Sequence, residues 1–246
     1  MQRDFTAVLG ILPFETAFFT RHGVNYTYVG TPQLDRVRKV NVTKADLGWG
    51  SGRLVACLPG SRLAEIHLHM DILLQASALV AAQCPDVQFV IPVATNLQNE
   101  DFDPYLQKIA ETLRQRFHLL KGASLEVMAA ADAALVASGT ATLECALLRT
   151  PMVVFYRMSD ATYQMAKKKV QISQFSLVNI IAEKTVVKEL IQDIDPRLLA
   201  ARLIELLTEG SAARQTMLKD FDDLAKRLQP GAAAHAATLI ADILAL

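Results

Sequence analysis

Two short stretches of the chain set a glycine beside hydroxyl and charged side chains just after an apolar run. The first is Gly60-Ser61-Arg62 with Glu65, at the end of "LVACLP"; the second is Ser138-Gly139-Thr140 with Glu144, inside "ASGTATLECAL". Glycine lets a ligand approach the backbone closely, and free N–H groups at a helix start favour an anion. Ser61 adds a hydroxyl, and Arg62 a planar fork matched to phosphate oxygens. Glu144, one turn into its helix, is a carboxylate able to accept hydrogen bonds from two hydroxyls of a sugar ring. The same residues have a plainer use, with Ser61, Ser138 or Thr140 capping a helix and Glu65 facing its positive end. Two such turns at one edge of one sheet would aim N–H groups into a single cleft, as a diphosphate-linked sugar nucleotide requires. At the exit of "VVFYR", Tyr156 offers a ring for stacking and Arg157 a charge for phosphate; alternatively one faces the core and the other the rim. Asn179 and Glu189, polar residues in apolar surroundings, either cap a helix or hold a ligand.

Other chemistries lack their residues. No G-x-G-x-x-G follows an apolar run, and G-x-x-x-x-G-K-S/T, H-E-x-x-H and G-x-S-x-G are all absent. His67 and His69, two apart on a helix, diverge by about 200° and cannot chelate one ion. Cys57, Cys84 and Cys145 are far apart in apolar segments and read as core thiols of a reducing compartment. Lysine plus arginine equals aspartate plus glutamate at 25 each, without a basic stripe, which argues against nucleic-acid binding. The opening "MQRDFTAVLGILPFETAFF" is broken by Pro13 and Glu15 and does not read as a signal peptide, and no uninterrupted apolar run is long enough to span a membrane. Phe14, Phe18 and Phe19 either pack inward or face lipid.

The elements that must hold these residues alternate. Apolar runs at 6–12, 26–30, 53–58, 87–93, 133–138 and 151–157 read as strands. Helices are expected at 14–22 (ended by Gly23), 62–82, 104–116, after Gly139, and at 160–170, 185–192, 196–208, 211–228 and 232–245. Ile66, Met70, Leu73, Leu74, Ser77 and Val80 share one face of the second helix. This is a Rossmann-like α/β fold, a mostly parallel sheet with helices on both faces and a helical carboxyl-terminal tail. Lys167-Lys168-Lys169 reads as a solvated face, and "PGAAAHAATLIADILAL" as an apolar helix docked on the core or on a partner.

"LPGSRLAEI", "LVASGTATLECAL", "TPMVVFYRM" and "LVNIIAEKTVVKELIQ", in that order, resemble the lipid-A-disaccharide synthase family of glycosyltransferases, two-domain enzymes of the GT-B architecture. The resemblance extends from "ILPFE" to the last helices. It implies a hexosyltransferase that moves 2,3-diacylglucosamine from UDP to 2,3-diacylglucosamine 1-phosphate in lipid A biosynthesis, without a cofactor. Such a protein is cytoplasmic and peripheral on the inner membrane. By the same resemblance Ser61 and Arg62 approach the donor phosphates, Ser138, Gly139, Thr140 and Ala141 line the diphosphate turn, Glu144 holds the ribose and Asn179 lies beside the cleft.

The resemblance also divides the chain. Residues 1–35 read as the end of an amino-terminal domain, 36–52 as a linker, 53–210 as the donor-nucleotide domain and 211–246 as helices packing back on it. The family's acceptor-facing surface and its proposed general base have no counterpart here, so the UDP-linked sugar is the expected ligand, and the acceptor only if another half is supplied. The alternative is a UDP-sugar-binding module needing a partner for activity. His22 is the one candidate base, provided it turns toward the cleft. The family usually has histidine where Thr31 stands, and proline and glycine where Val178 and Glu183 stand; Glu183, if it points inward, would bring negative charge toward the diphosphate.

Overall fold

A computed structural model describes residues 4–169 and 174–244. The chain opens with β1 (Val8–Gly10), α1 (Glu15–Arg21) and β2 (Tyr26–Tyr28), and the two strands pair in parallel as a small sheet of their own. The phenylalanines divide between both expected directions: Phe19 stacks on Tyr26, while Phe14 and Phe18 are exposed.

α2 (Pro32–Val37) forms within the polar stretch and sinks Leu34 and Val37 into the main core. Asp35 beside them accepts hydrogen bonds from the N–H groups of Gly231 (2.9 Å) and Ala232 (3.3 Å). Thr31, fully buried, donates its backbone N–H to Gln229 and its hydroxyl to the carbonyl of Ile11. Farther along, the Lys44 ammonium meets both oxygens of Asp132 at 3.0 and 2.9 Å. The stretch 36–52, expected as a linker, is therefore fastened to the rest of the molecule.

The larger unit runs β3 (Leu54–Leu58), α3 (Leu63–Gln83), β4 (Gln88–Val93), α4 (Asp103–Leu106), α5 (Glu111–Arg114), β5 (Phe117–Lys121), α6 (Ser124–Ala130), β6 (Ala133–Ala137), α7 (Thr140–Leu147), β7 (Met152–Tyr156), α8 (Asp160–Lys169), α9 (Leu177–Ala182) and β8 (Glu189–Ile191). It closes with α10 (Pro196–Leu207), α11 (Ala212–Ala225) and α12 (Ala232–Leu244). The described strands of this unit make one sheet in the order β5-β4-β3-β6-β7-β8, with all five pairings parallel. Every residue of β3 and β6 is buried, which is why both read as unbroken apolar runs rather than alternating ones. α3 buries Ile66, Met70, Leu73, Leu74, Ser77 and Val80 as its periodicity demands. It is also the one described helix long and apolar enough to cross a membrane, but half of its most apolar window is buried in the fold.

Strand order reverses between β3 and β6. The chain leaves β3 outward to β4 and β5, then returns to the other side of β3, and in open parallel sheets ligands collect outside the carboxyl ends at such a point. Pro92 keeps that end open. The backbone N–H of Gln88 points toward β3, so the missing N–H at Pro92 faces the same way, beyond Val90 where the β3 pairing has already stopped.

Four expectations need correction. The helix over 104–116 divides into the single turns α4 and α5, because Ala110 is extended (φ −57°, ψ 142°) and the chain must turn to deliver β5. Residues 185–192 do not form a helix; β8 pairs there with β7, Phe155 opposite Leu190. β5, α6 and α9 also form where no element was expected. The tail helix α12 is docked at its start, through Asp35 and through His235 against the carbonyl of Val29, but leaves Ile240, Ile243 and Leu244 exposed. The side chains of Lys167, Lys168 and Lys169 lie outside the described residues.

Glu183 stands just past α9 in the left-handed region (φ 56°), with a side chain 79% exposed and 3.9 Å from Arg227. It does not enter the cleft. Glycine suits such a position because no Cβ opposes the carbonyl. Glu183→Gly is expected to stabilise the fold by about 0.5–1 kcal/mol, after the entropy that glycine adds to the unfolded chain is subtracted. That is a rise of about 1–4 °C in melting temperature for a chain of this size. An unchanged or lower melting point would mean that the backbone relaxes there without cost.

Candidate functional site

At the switch point the carboxyl ends of β3, β4 and β6 open into a cleft of about 440 Å³, within the usual range for small-molecule sites. Ten of the sequence-predicted residues line it: Gly60, Ser61, Arg62, Glu65, Ser138, Gly139, Thr140, Ala141, Glu144 and Tyr156. Arg157 and Asn179 do not. The Arg157 side chain is exposed on a separate groove with Ile72, Gln75 and Asp193. Asn179 is 1% exposed and spends its whole amide on the protein. Its Nδ2 donates to the Val187 carbonyl and to Glu189 Oε1, while its Oδ1 accepts from the N–H groups of Val186 and Val187. Glu189 in turn accepts from the N–H groups of Phe175 and Ser176. Both polar residues thus hold the approach to α9 and β8 together rather than a ligand.

The two helix starts are not equivalent. Ahead of α3, the Glu65 carboxylate turns back and accepts from the N–H of Ser61 (2.8 Å) and of Arg62 (3.2 Å). Its other oxygen meets the Arg62 guanidinium at 2.8 Å. Gly60 makes this turn possible. It sits at φ 124°, and a Cβ there would lie 2.5 Å from Glu65 Oε2 and 2.6 Å from Glu65 Cβ. Arg62 rather than Ser61 occupies the capping position, and the Ser61 carbonyl is braced by Asn96 at 2.9 Å. Ahead of α7, Gly139 is extended and no side chain caps the helix; among the described residues the N–H groups of Thr140 and Ala141 have no protein acceptor. An incoming anion therefore finds its freest donors at α7. Among the described residues, the hydroxyls of Ser61, Ser124, Ser138 and Thr140 also line the cleft without a protein partner.

Glu144 is the buried charge of the site, its side chain 9% exposed. Burial pushes its carboxyl up from the ordinary range, and the Arg36 guanidinium, 2.9 Å from Oε1, opposes that. Nothing in the sequence pattern marked Arg36, which arrives from α2. Behind the cleft, His69 is fully buried between two strand ends. Its Nδ1 lies 2.6 Å from the Pro59 carbonyl, so it donates there, and its Nε2 faces the Arg157 backbone, 3.1 Å from the N–H and 3.0 Å from the carbonyl. That bridge ties the ends of β3 and β7 together, and the same ring packs against Tyr156. His67 turns instead to the Tyr105 hydroxyl, so the two histidines serve different partners. Burial pushes the Cys57 and Cys145 thiols far up, which leaves them protonated and inert. A separate cavity of about 320 Å³ opens at the start of β7 between α10 and α11, among Met152, Leu206, Met217 and Lys188, and holds none of the predicted residues.

A parallel six-stranded sheet with helices on both faces, and a cleft at its switch point, defines a Rossmann-like α/β fold of the GT-B glycosyltransferase type. Solved structures share that fold. A putative UDP-N-acetylglucosamine 2-epimerase from Listeria monocytogenes superposes with a TM-score of 0.61 at 16% identity, over 97% of this chain and 58% of its own. S. aureus TarM, solved in a complex containing UDP, gives 0.54 at 10% identity, over 97% of this chain and 44% of its own.

The chain belongs to the lipid-A-disaccharide synthetase family, whose model matches residues 1–242. The lipid-A-disaccharide synthase of Thiobacillus denitrificans is 39% identical over 242 residues, covering 96% of this chain and 63% of that protein. That of Escherichia coli is 36% identical over 241 residues, covering 96% and 62%. The chain thus spans less than two thirds of the length of the curated relatives it matches.

Proposed function

We propose that this chain forms the donor side of a lipid-A-disaccharide synthase-like hexosyltransferase. In that reaction the bond between the anomeric carbon of 2,3-diacylglucosamine and the UDP phosphate oxygen breaks. A bond forms from the same carbon to a hydroxyl oxygen of 2,3-diacylglucosamine 1-phosphate, whose proton leaves to a base. The observation that carries the reading is the convergence on one cleft of the open α7 start, four unpartnered hydroxyls and Glu144. The diphosphate would sit at Ser138–Ala141 and the ribose at Glu144, with Arg62 stabilising the departing UDP electrostatically. Tyr156 lies at the edge of that space. Exposed Phe14 and Phe18 on α1 support a peripheral position on the cytoplasmic face of the inner membrane, where both lipid substrates would be met.

A specific observation favours a second reading, a UDP-sugar-binding module completed by another segment or chain. The carboxylates lining the cleft are Glu65 and Glu144, and both are engaged in ion pairs. His22 is exposed outside the cleft, its ring nitrogen on the carbonyl of Phe18. The base that deprotonates the acceptor would then come from elsewhere.

Calorimetric titration with UDP tests the donor site common to both readings. Binding is expected, and Arg62→Ala is expected to weaken it at least about tenfold, roughly 1.4 kcal/mol. A folded chain that ignores millimolar UDP would end the donor-site reading.

A further inference from the structure

The ion pair between Arg36 and Glu144 joins two parts of the chain that sequence reasoning had separated. Arg36 lies on α2, ahead of the Rossmann-like unit in the chain, and its side chain is 60% exposed beside Glu144. Its guanidinium takes Glu144 Oε1 at 2.9 Å. The contact is an ion pair to Oε1 alone; Oε2 meets no cation among the described residues, and Glu144 lines the cleft. A desolvated carboxylate with one oxygen clamped and the other open is a directed acceptor.

The arm that holds it is anchored. Leu34 and Val37 on α2 are buried in the core, and Asp35 beside Arg36 is bound to the N–H groups of Gly231 and Ala232 ahead of and within α12.

We propose that Arg36 is a positioning residue for the nucleotide: it clamps one carboxylate oxygen of Glu144 so that the other reads the vicinal diol of a ribose. This inference rests on the donor-site reading above, and it makes the nucleotide site a joint product of α2 and the Rossmann-like unit.

The test is calorimetry of the full chain with three probes: UDP, 2′-deoxy-UDP and inorganic pyrophosphate. The wild type is expected to prefer UDP over its 2′-deoxy analogue by about tenfold, the scale of one charge-assisted hydrogen bond. In Arg36→Ala that preference falls below about twofold. Arg36→Lys, which keeps a single donor to Oε1, recovers part of it. Glu144→Gln also loses the preference, and adding Arg36→Ala to it changes nothing more, as expected for two residues acting as one unit. A role confined to net charge gives a different result: Arg36→Ala would weaken all three probes alike and leave the UDP preference intact, which overturns the proposal. Equal wild-type binding of UDP and 2′-deoxy-UDP overturns it too, while leaving the donor site standing. No UDP binding by the wild type removes both. Melting curves of each variant, with Arg36→Lys as the milder change, confirm that the comparison is between folded proteins.

Discussion

Asn179→Ala is expected to lower the melting temperature by about 10 °C while leaving the affinity of the folded protein for UDP within about twofold of wild type. The enclosed amide satisfies the N–H groups of Val186 and Val187, the Val187 carbonyl and one oxygen of Glu189. Removing it orphans backbone groups that water cannot reach, at about 1–3 kcal/mol for each group left unsatisfied. Part of the loss is recovered by relaxation, and a net cost of about 3–5 kcal/mol is expected, a large share of the 5–15 kcal/mol that holds a typical domain together. At about 2–4 °C per kcal/mol this gives the stated shift. Asn179→Asp is expected to be comparably harmful, because it restores the acceptor but sets a second carboxylate against Glu189. Thermal unfolding followed by circular dichroism, with UDP titration at low temperature, separates the roles. A normal melting point combined with a large loss of UDP affinity would make Asn179 a ligand residue after all.

Gly60→Ala carries the second large effect, and here both stability and binding fall. A residue with a side chain resists φ 124°, and the new Cβ would strike the Glu65 side chain, its own Cβ included, so rotation of the carboxylate alone cannot relieve the clash. The Glu65 bonds to Ser61 and Arg62 are then lost and the loop at the end of β3 refolds. A destabilisation of about 2–4 kcal/mol is expected from strain and overpacking together. UDP affinity is expected to fall at least about tenfold, since Ser61 and Arg62 leave their places at the cleft. Glu65→Ala is the control: it removes the same hydrogen bonds without forbidding the backbone conformation, and is expected to cost about 1–2 kcal/mol. If Gly60→Ala binds UDP as the wild type does, the loop is not part of the ligand site.

Much of this was legible from residue order. β3, β6 and β7 announce themselves because a strand covered on both faces needs no polar residue, and α3 because its apolar positions repeat with the helical period. The small-residue turns after β3 and β6 follow from the same local rules, and both reach the cleft. β8 was unreadable for a physical reason. It has three residues, each half-buried, in a segment whose Glu, Leu and Ile suit a helix equally well, and only the free edge of β7 makes it a strand. β5 carries no alternation strong enough to stand apart from the polar turns before it.

The site divides along the same line. Residue types and local spacing by themselves determined that Gly60, Arg62, Gly139 and Glu144 stand at two helix starts, where they suit either a cap or a phosphate and a sugar, because glycine, hydroxyl and charge there act over one or two turns. Only the tertiary structure decided which of those groups are free. Glu65 claims the N–H groups at the first turn, Asn179 is consumed by its neighbours, and Arg157 faces another groove. Arg36 enters from a helix that no local pattern connects to Glu144. Hydrogen bonds and ion pairs are settled by distances of about three ångströms in space, and the order of residues fixes such distances only once the whole chain has packed.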